Sequence, residues 1–228
     1  MREVVRSTKP EVIASGSEDS KKILTPVVNK LKGLKASDIK LEDPVIPGGF
    51  PRRAVGYIPV WEQQDFEIGI FAFPPGACIP LHNHPGMCVI SQVLYGSLWS
   101  FDLDTKTKKA RTHGEVTATA PETRILFEAD KNIHEFVAGP QGCAILDILT
   151  PPYEEAEGRG CTYYELEEKE TEASGADSSW KKSVDETNES NKINQNEISL
   201  KPVKCPSWFT TYRLSSQLEK VDRDRLKE

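Results

Sequence analysis

Between residues 54 and 166 the chain is a train of short runs rich in β-branched and aromatic residues. The runs are "AVGYIPVW", "FEIGIFAF", "CIPLHN", "CVISQVLYG", "SLWSFDLD", "EVTATA", "TRILFEA", "IHEFVAG" and "CAILDILT". Turn residues divide them: "PPGA" at 74–77, "YGS" at 95–97 and "GPQG" at 139–142. A spacing of about 8–12 residues, with no helical pattern between runs, excludes alternating βαβ units and predicts a β-sandwich or barrel. Nine or so strands in that length suit a small double-sheet jelly roll. The fold class expected is all-β.

The flanks differ in texture. Residues 1–20 are polar and are expected to be disordered. "KKILTPVVNKLKGL" (21–34) spaces Ile23, Leu24, Val27, Val28, Leu31 and Leu34 as one apolar helical stripe. With the Pro/Gly-punctuated loop "EDPVIPGGFPRR" (42–53), residues 21–53 read as a helix and connection packed on the barrel. After the barrel (54–166), the stretch 167–200 is polar and reads as a disordered insertion. Residues 201–228 follow as a final strand and tail, "VKCPSWFTTYRL" (203–214) being strand-like. The 29 basic and 35 acidic residues give −6. The window 165–200 holds ten acids against four lysines, so it accounts for the whole excess. No basic surface advertises nucleic acid or an anionic membrane. No apolar run approaches a membrane span or a secretory leader. Five scattered cysteines without a C-x-x-C pair suggest reduced thiols rather than a disulfide framework or structural zinc. The expected compartment is the cytoplasm, with the nucleus as a second, and a monomer is expected.

Only four histidines occur, and two of them sit one residue apart in "GACIPLHNHPGM" (76–87). In an extended segment residues i and i+2 leave the same face, and Pro80 and Pro85 favour extension of the residues before them. His82 and His84 would then form a chelate for a transition metal; the bland alternative is two solvated histidines in a turn. A catalytic metal needs a further ligand. His113 lies in the Lys/Arg-rich "TKTKKARTHGEV", where positive charge would repel a cation. His134, in "KNIHEFVAG", opens an apolar strand about fifty residues downstream and is the better candidate. Taken alone, it reads as a hydrogen-bonded core histidine.

Gly76, the H-x-H six and eight residues on, and Gly96 are similar to the first cupin motif, and "KNIH" resembles the second. The metal-binding Glu usual in the first motif is missing, since Cys88 and Val89 stand at its positions. A three-histidine set resembles the thiol dioxygenases. More closely, "IPLHNHPGMCV", "YGSL", "NIHEF", "CAILDILTPPY" and "GRGCTYY" resemble the family of 2-aminoethanethiol dioxygenases and plant cysteine oxidases, over about residues 55–166. The resemblance implies a cupin-type double-stranded β-helix. It also implies Fe(II) bound by His82, His84 and His134, and addition of O2 to a thiol to give a sulfinic acid. The substrate implied is a protein or peptide with N-terminal Cys, coupling O2 to an N-degron, with cysteamine as the close alternative. A different metal-dependent cupin enzyme and a non-enzymatic cupin module are the more distant readings.

Asp147 interrupts the apolar "CAILDIL", where a carboxylate is costly to bury unless paired. A role on a ligand histidine or on the substrate amine is one reading, and a structural Asp bonded to backbone amides is the other. Tyr153, at the Pro-Pro corner of "TPPY", matches a family tyrosine near the iron, and packing is the alternative. Cys161 and Tyr163 share a face if extended, and the family match implies a possible thioether cross-link between them.

Overall fold

The computed structural model describes residues 9–41, 46, 48–105, 109–167, 197–214, 219, 221–223 and 226. Its ten strands are β1 (Val55–Glu62), β2 (Glu67–Phe73), β3 (Cys78–Asn83), β4 (Cys88–Thr105), β5 (Lys109–Thr119), β6 (Glu122–Leu126), β7 (Ile133–Thr150), β8 (Tyr163–Leu166), β9 (Glu197–Val203) and β10 (Thr211–Arg213). Two of the expected turns do not reverse the chain. "CVISQVLYG" and "SLWSFDLD" are one strand of 18 residues, β4, and "IHEFVAG" and "CAILDILT" are another, β7. The reason is a pair of glycines that bend both strands without ending them. Gly96 and Gly142 have φ of +70° and +73°, and a Cβ on Gly96 would sit 2.1 Å from the Gly142 carbonyl oxygen. The β4–β7 register slips on either side of Gly96, between Val93 and Tyr95 and between Gly96 and Leu98, as expected of bulges that turn a sheet corner.

Each bent strand therefore serves two sheets. The second half of β7 pairs with β2 and its first half with β3. The first half of β4 pairs with β6 and its second half with β5. One layer runs β10–β1–β2–β7–β4–β6, and the order β7–β3–β8–β9–β5–β4 returns to β7 and closes a ring. This is the cupin-type double-stranded β-helix expected from the sequence. The barrel is not complete at residue 166, however: β9 links β8 to β5, and β10 pairs in parallel with β1. β8 and β9 are antiparallel neighbours, with Tyr163 opposite Val203 and Leu166 opposite Leu200. Residues 168–196 between them, most of the expected insertion, lie outside the described residues.

The N-terminal arm also differs from expectation, because part of 1–20 is helical. The arm forms α1 (Pro10–Ala14) and α2 (Glu18–Leu31), so the main helix spans 18–31 rather than 21–34. The cause lies in local capping and packing. The Ser17 side chain accepts a hydrogen bond from the Ser20 amide and starts the helix early. The buried Ser20 hydroxyl donates to the Ile13 carbonyl at 2.6 Å, tying the two helices together. Leu24, Val27 and Leu31 from α2 bury against Ile58, Ile70, Ile90, Leu146 and Ile148 on the outer face of the first sheet. Along the second half of β7, Ala144, Leu146 and Ile148 face this outer core, while Ile145 belongs to the cluster inside the barrel. Both faces being covered explains why "CAILDIL" reads as a continuous apolar run. By the same alternation Asp147 points inward.

Candidate metal centre

β3 brings His82 to the barrel's interior near its end, and His84 follows directly after the strand. β7 starts at Ile133 and delivers His134 opposite His82 in register. The adjacent register pairs Asp102 of β4 with His134 and Tyr163 of β8 with His82. Strand pairing alone thus sets one rung of Asp102, His134, His82 and Tyr163. The three imidazoles converge, with ring centroids 4.8–4.9 Å apart in each pair. Their ligand atoms lie within 4.8 Å of one another, and they form the only such potential metal-binding group among the described residues. His113 belongs to a part of β5 whose side chains lie outside the described residues.

Hydrogen bonds to the rings' outer nitrogens orient the inner ones. His82 Nδ1 donates to the Pro80 carbonyl at 2.8 Å, which leaves Nε2 bare. The Tyr153 hydroxyl lies 2.7 Å from the Asn83 carbonyl oxygen and 2.8 Å from His84 Nδ1. A hydroxyl has one hydrogen and a carbonyl only accepts. Tyr153 therefore donates to Asn83 and accepts from His84 Nδ1–H, so His84 Nε2 is also unprotonated. His84 Nε2 and His134 Nε2 are 3.0 Å apart. Buried Asn132 clamps the His84 backbone, its amide donating to the His84 carbonyl at 2.6 Å and its Oδ1 accepting from the His84 amide at 3.3 Å. Because Asn132 lies two residues before His134, this clamp ties the H-x-H turn to the start of β7.

Burial sets the charge of the donors. It lowers His82 to about 4 and holds His84 and His134 well below the ordinary imidazole range, and the neighbouring histidines push the latter two further down. All three are neutral near pH 7, as metal ligands must be. The Nε2–Nε2 spacing of 3.0 Å suits two nitrogens each about 2.1 Å from one cation. The residues present therefore fit a metal held by three neutral nitrogens and no carboxylate.

Tyr153 is accordingly joined to a ligand histidine. Asp147 is buried beside the site, opposite Ser91 and Gly69 in register, with Oδ1 lacking any hydrogen-bond partner. Burial raises it to about 7, while the Ser91 hydroxyl and the Arg124 guanidinium pull the other way. Cys161 and Tyr163 lie together: the exposed Cys161 thiol is within hydrogen-bonding reach of the Tyr153 and Tyr163 hydroxyls. Cys205 also reaches the Tyr163 hydroxyl.

Sequence reading missed Asn132, Asp102 and Arg124. Arg124 of β6 stands opposite Ser91 and forms an ion pair with buried Asp102, which also accepts from Ser100. With Ser91, Lys131, His134 and Phe136 they line a cavity of about 20 Å³. The available signal was alternation in "SLWSFDLD", which puts Leu98, Ser100 and Asp102 on the face that is buried.

A closed β-helix with three convergent neutral imidazoles and an adjoining small cavity is a cupin-type candidate metal centre with a three-histidine donor set. The chain belongs to the family described as PCO_ADO, which matches residues 31–215. It is 36% identical over 170 residues to a Dictyostelium discoideum protein named "Probable 2-aminoethanethiol dioxygenase", covering 69% of this chain and 78% of that protein. Identity to plant cysteine oxidase 1 of Arabidopsis thaliana is 37% over 175 residues, 72% of this chain and 53% of the plant protein, about half its length. Identity to 2-aminoethanethiol dioxygenase of Mus musculus is 29% over 202 residues, 75% of this chain and 78% of that one. Among solved structures, a cupin superfamily protein from Desulfitobacterium hafniense aligns with TM-score 0.37 and 14% identity, over 48% of this chain and 86% of that one.

Proposed function

We propose that this protein is an Fe(II)-dependent thiol dioxygenase acting on the N-terminal cysteine of proteins or peptides. The observation that carries the reading is the donor set: three buried neutral imidazoles and no carboxylate in a chain of the PCO_ADO family. Ferrous iron held there would keep its full positive charge and give a thiolate and O2 a common meeting point. Both oxygen atoms end on sulfur, converting the thiolate to a sulfinate with no external reductant. The names of the relatives support the substrate class, since one is a cysteine oxidase and others are 2-aminoethanethiol dioxygenases. Cysteamine, yielding hypotaurine, is the second reading on the same ground. Both substrates are 2-aminothiols, able to chelate through sulfur and amine.

The chain's own residues supply orientation and exclusion of water. Tyr153 holds His84 in the ligating tautomer. On this reading Asp147, raised to about 7 by burial, takes a proton from the substrate's ammonium or thiol as it enters. Cys161 and Tyr163, whose thiol and hydroxyl approach each other, on the same reading form a thioether cross-link with loss of two hydrogen atoms to O2. On this reading the protein works in the cytoplasm and nucleus as a monomer, its product marking targets for an N-degron pathway. The test is aerobic incubation of the iron-loaded protein with a Cys-initiating peptide, its N-acetylated twin, an internal-Cys peptide and cysteamine, followed by mass spectrometry. A gain of about 32 Da confined to substrates whose thiol and free amine sit on adjacent carbons, the Cys-initiating peptide and cysteamine, is expected. Equal oxidation of free and acetylated peptides would refute chelation through the amine, and oxidation of cysteamine alone would select the second reading.

A further inference from the structure

Arg124 is tethered at one end of its fork and unmet at the other. Its Nη2 donates to Asp102 Oδ2, and Asp102 is 1% exposed. Its Nη1 is buried and has no hydrogen-bond partner. Strand register explains the placement. Arg124 lies opposite Ser91 and Ser91 opposite Asp147, while Asp102 lies opposite His134. The side chain therefore reaches from the Asp147 rung of one sheet to the histidine rung of the other. Its positive charge is felt at both ends, lowering His134 and Asp147 alike. An ion pair that merely pinned β6 to β4 would account for Nη2 and leave Nη1 unexplained.

An unmet guanidinium N–H on a residue that lines a cavity is a spare donor, enclosed until a partner is seated against it. The cavity that Arg124 lines, with Ser91, Asp102, Lys131, His134 and Phe136, offers about 20 Å³, room for one water-sized group. An oxygen atom bonded to a substrate held at the histidines fills that need. The 2-aminothiols differ at this point. When sulfur and amine are both taken, the carbon bearing the amine still carries its third substituent. In cysteamine that substituent is hydrogen, and in an N-terminal cysteine it is the first peptide carbonyl. Asp102 already neutralises Arg124, so the spare N–H suits an uncharged carbonyl oxygen.

We propose that Arg124 is the specificity-determining residue of this centre, donating from Nη1 to the first peptide carbonyl of a substrate whose terminal cysteine lies at the three histidines. The inference rests on the thiol dioxygenase reading and sharpens it, because it selects peptides over cysteamine. Asp102 is the positioning residue, holding the fork.

The test compares wild type with Arg124→Leu/Asp102→Ala. Both partners are removed because Arg124→Leu alone would leave a carboxylate buried without its cation. Arg124→Lys, which keeps a cation for Asp102 but not the fork, is a second route to the same comparison if the double variant does not fold. Two readouts are taken: kcat/KM of the iron-loaded proteins with a Cys-initiating peptide and with cysteamine, and anaerobic binding of both to Co(II)-loaded proteins by visible absorption. A charge-assisted hydrogen bond predicts a roughly tenfold to hundredfold loss for the peptide in both readouts. Cysteamine has no oxygen to lose and should lose only what the missing charge beside His134 and Asp147 costs both substrates. The peptide-to-cysteamine ratio should therefore still fall about tenfold or more. Equal losses for both substrates, or an unchanged peptide, would overturn the role of Arg124 while leaving thiol oxidation standing. A wild-type protein that oxidises neither substrate overturns the thiol reading and this inference with it.

Discussion

Replacing Tyr153 with Phe isolates the hydroxyl that sets the His84 tautomer. The ring of Tyr153 packs on the His84 imidazole, with centroids 5.4 Å apart, and Phe keeps that contact. What is lost is the acceptor for His84 Nδ1–H and the donor to the Asn83 carbonyl. A buried N–H left without its acceptor costs about 1–3 kcal/mol. The cost falls on the tautomer whose Nε2 can bind a cation, so the alternative tautomer gains population. Metal affinity should drop roughly tenfold to a hundredfold, the usual scale for loss of a ligand's outer hydrogen bond. Competition between the protein and a chelator for Co(II) or Fe(II), under anaerobic conditions, measures this directly. Thermal unfolding of the metal-free variant measures the packing part separately. Wild-type metal affinity in Tyr153→Phe would refute the tautomer argument, whatever happened to stability.

Other expectations follow from the same geometry. His134→Ala should strip the metal and abolish turnover, because two imidazoles remain, whereas His113→Ala should bind metal as wild type does; elemental analysis after purification separates them. Asp147→Asn should lose activity yet stabilise the metal-free protein at high pH. Because the folded value of Asp147, about 7, lies above the ordinary value of 3.8, its burial costs nothing below about pH 4 and most above about pH 7. Denaturant titrations should show the variant's advantage growing across that window, to at most about 4 kcal/mol; a constant difference would contradict it. Deleting residues 170–194 should leave turnover within a few-fold, since β8 and β9 pair directly at the segment's two ends; a loss beyond tenfold in steady-state assays would refute this.

The centre was legible in the sequence because its two strands carry separable signals. H-x-H between two prolines gave the pair, and an apolar strand opening on His134 gave the third. The fold class was legible from period and spacing, but the bends at Gly96 and Gly142 were not. A glycine inside a strand pattern reads equally well as a turn or a bulge, and only the close approach of the two backbones decides. The helix start is not legible in the sequence, because Ser17 and Ser20 look like solvated polar residues until Ile13 supplies a buried carbonyl. Arg124 and Asp102 stayed hidden for a similar reason. A single charge in an alternating strand normally marks the solvent face, and their pairing joins residues on different strands through the barrel interior. The closing role of β9 depends on a partner strand on the far side of residues 168–196, which no local pattern reveals.

The central claim is that the three-histidine centre adds both atoms of one O2 molecule to a thiol. The most direct measurement is incubation of the iron-loaded protein with a Cys-initiating peptide under ¹⁸O2 in ordinary water, followed by mass spectrometry. The account predicts that both labelled atoms reach the sulfur, a gain of about 36 Da, and that the metal-free protein gives none. A product carrying only one labelled atom, the other coming from water, would contradict dioxygenation at this centre, as would equal labelling in the metal-free protein.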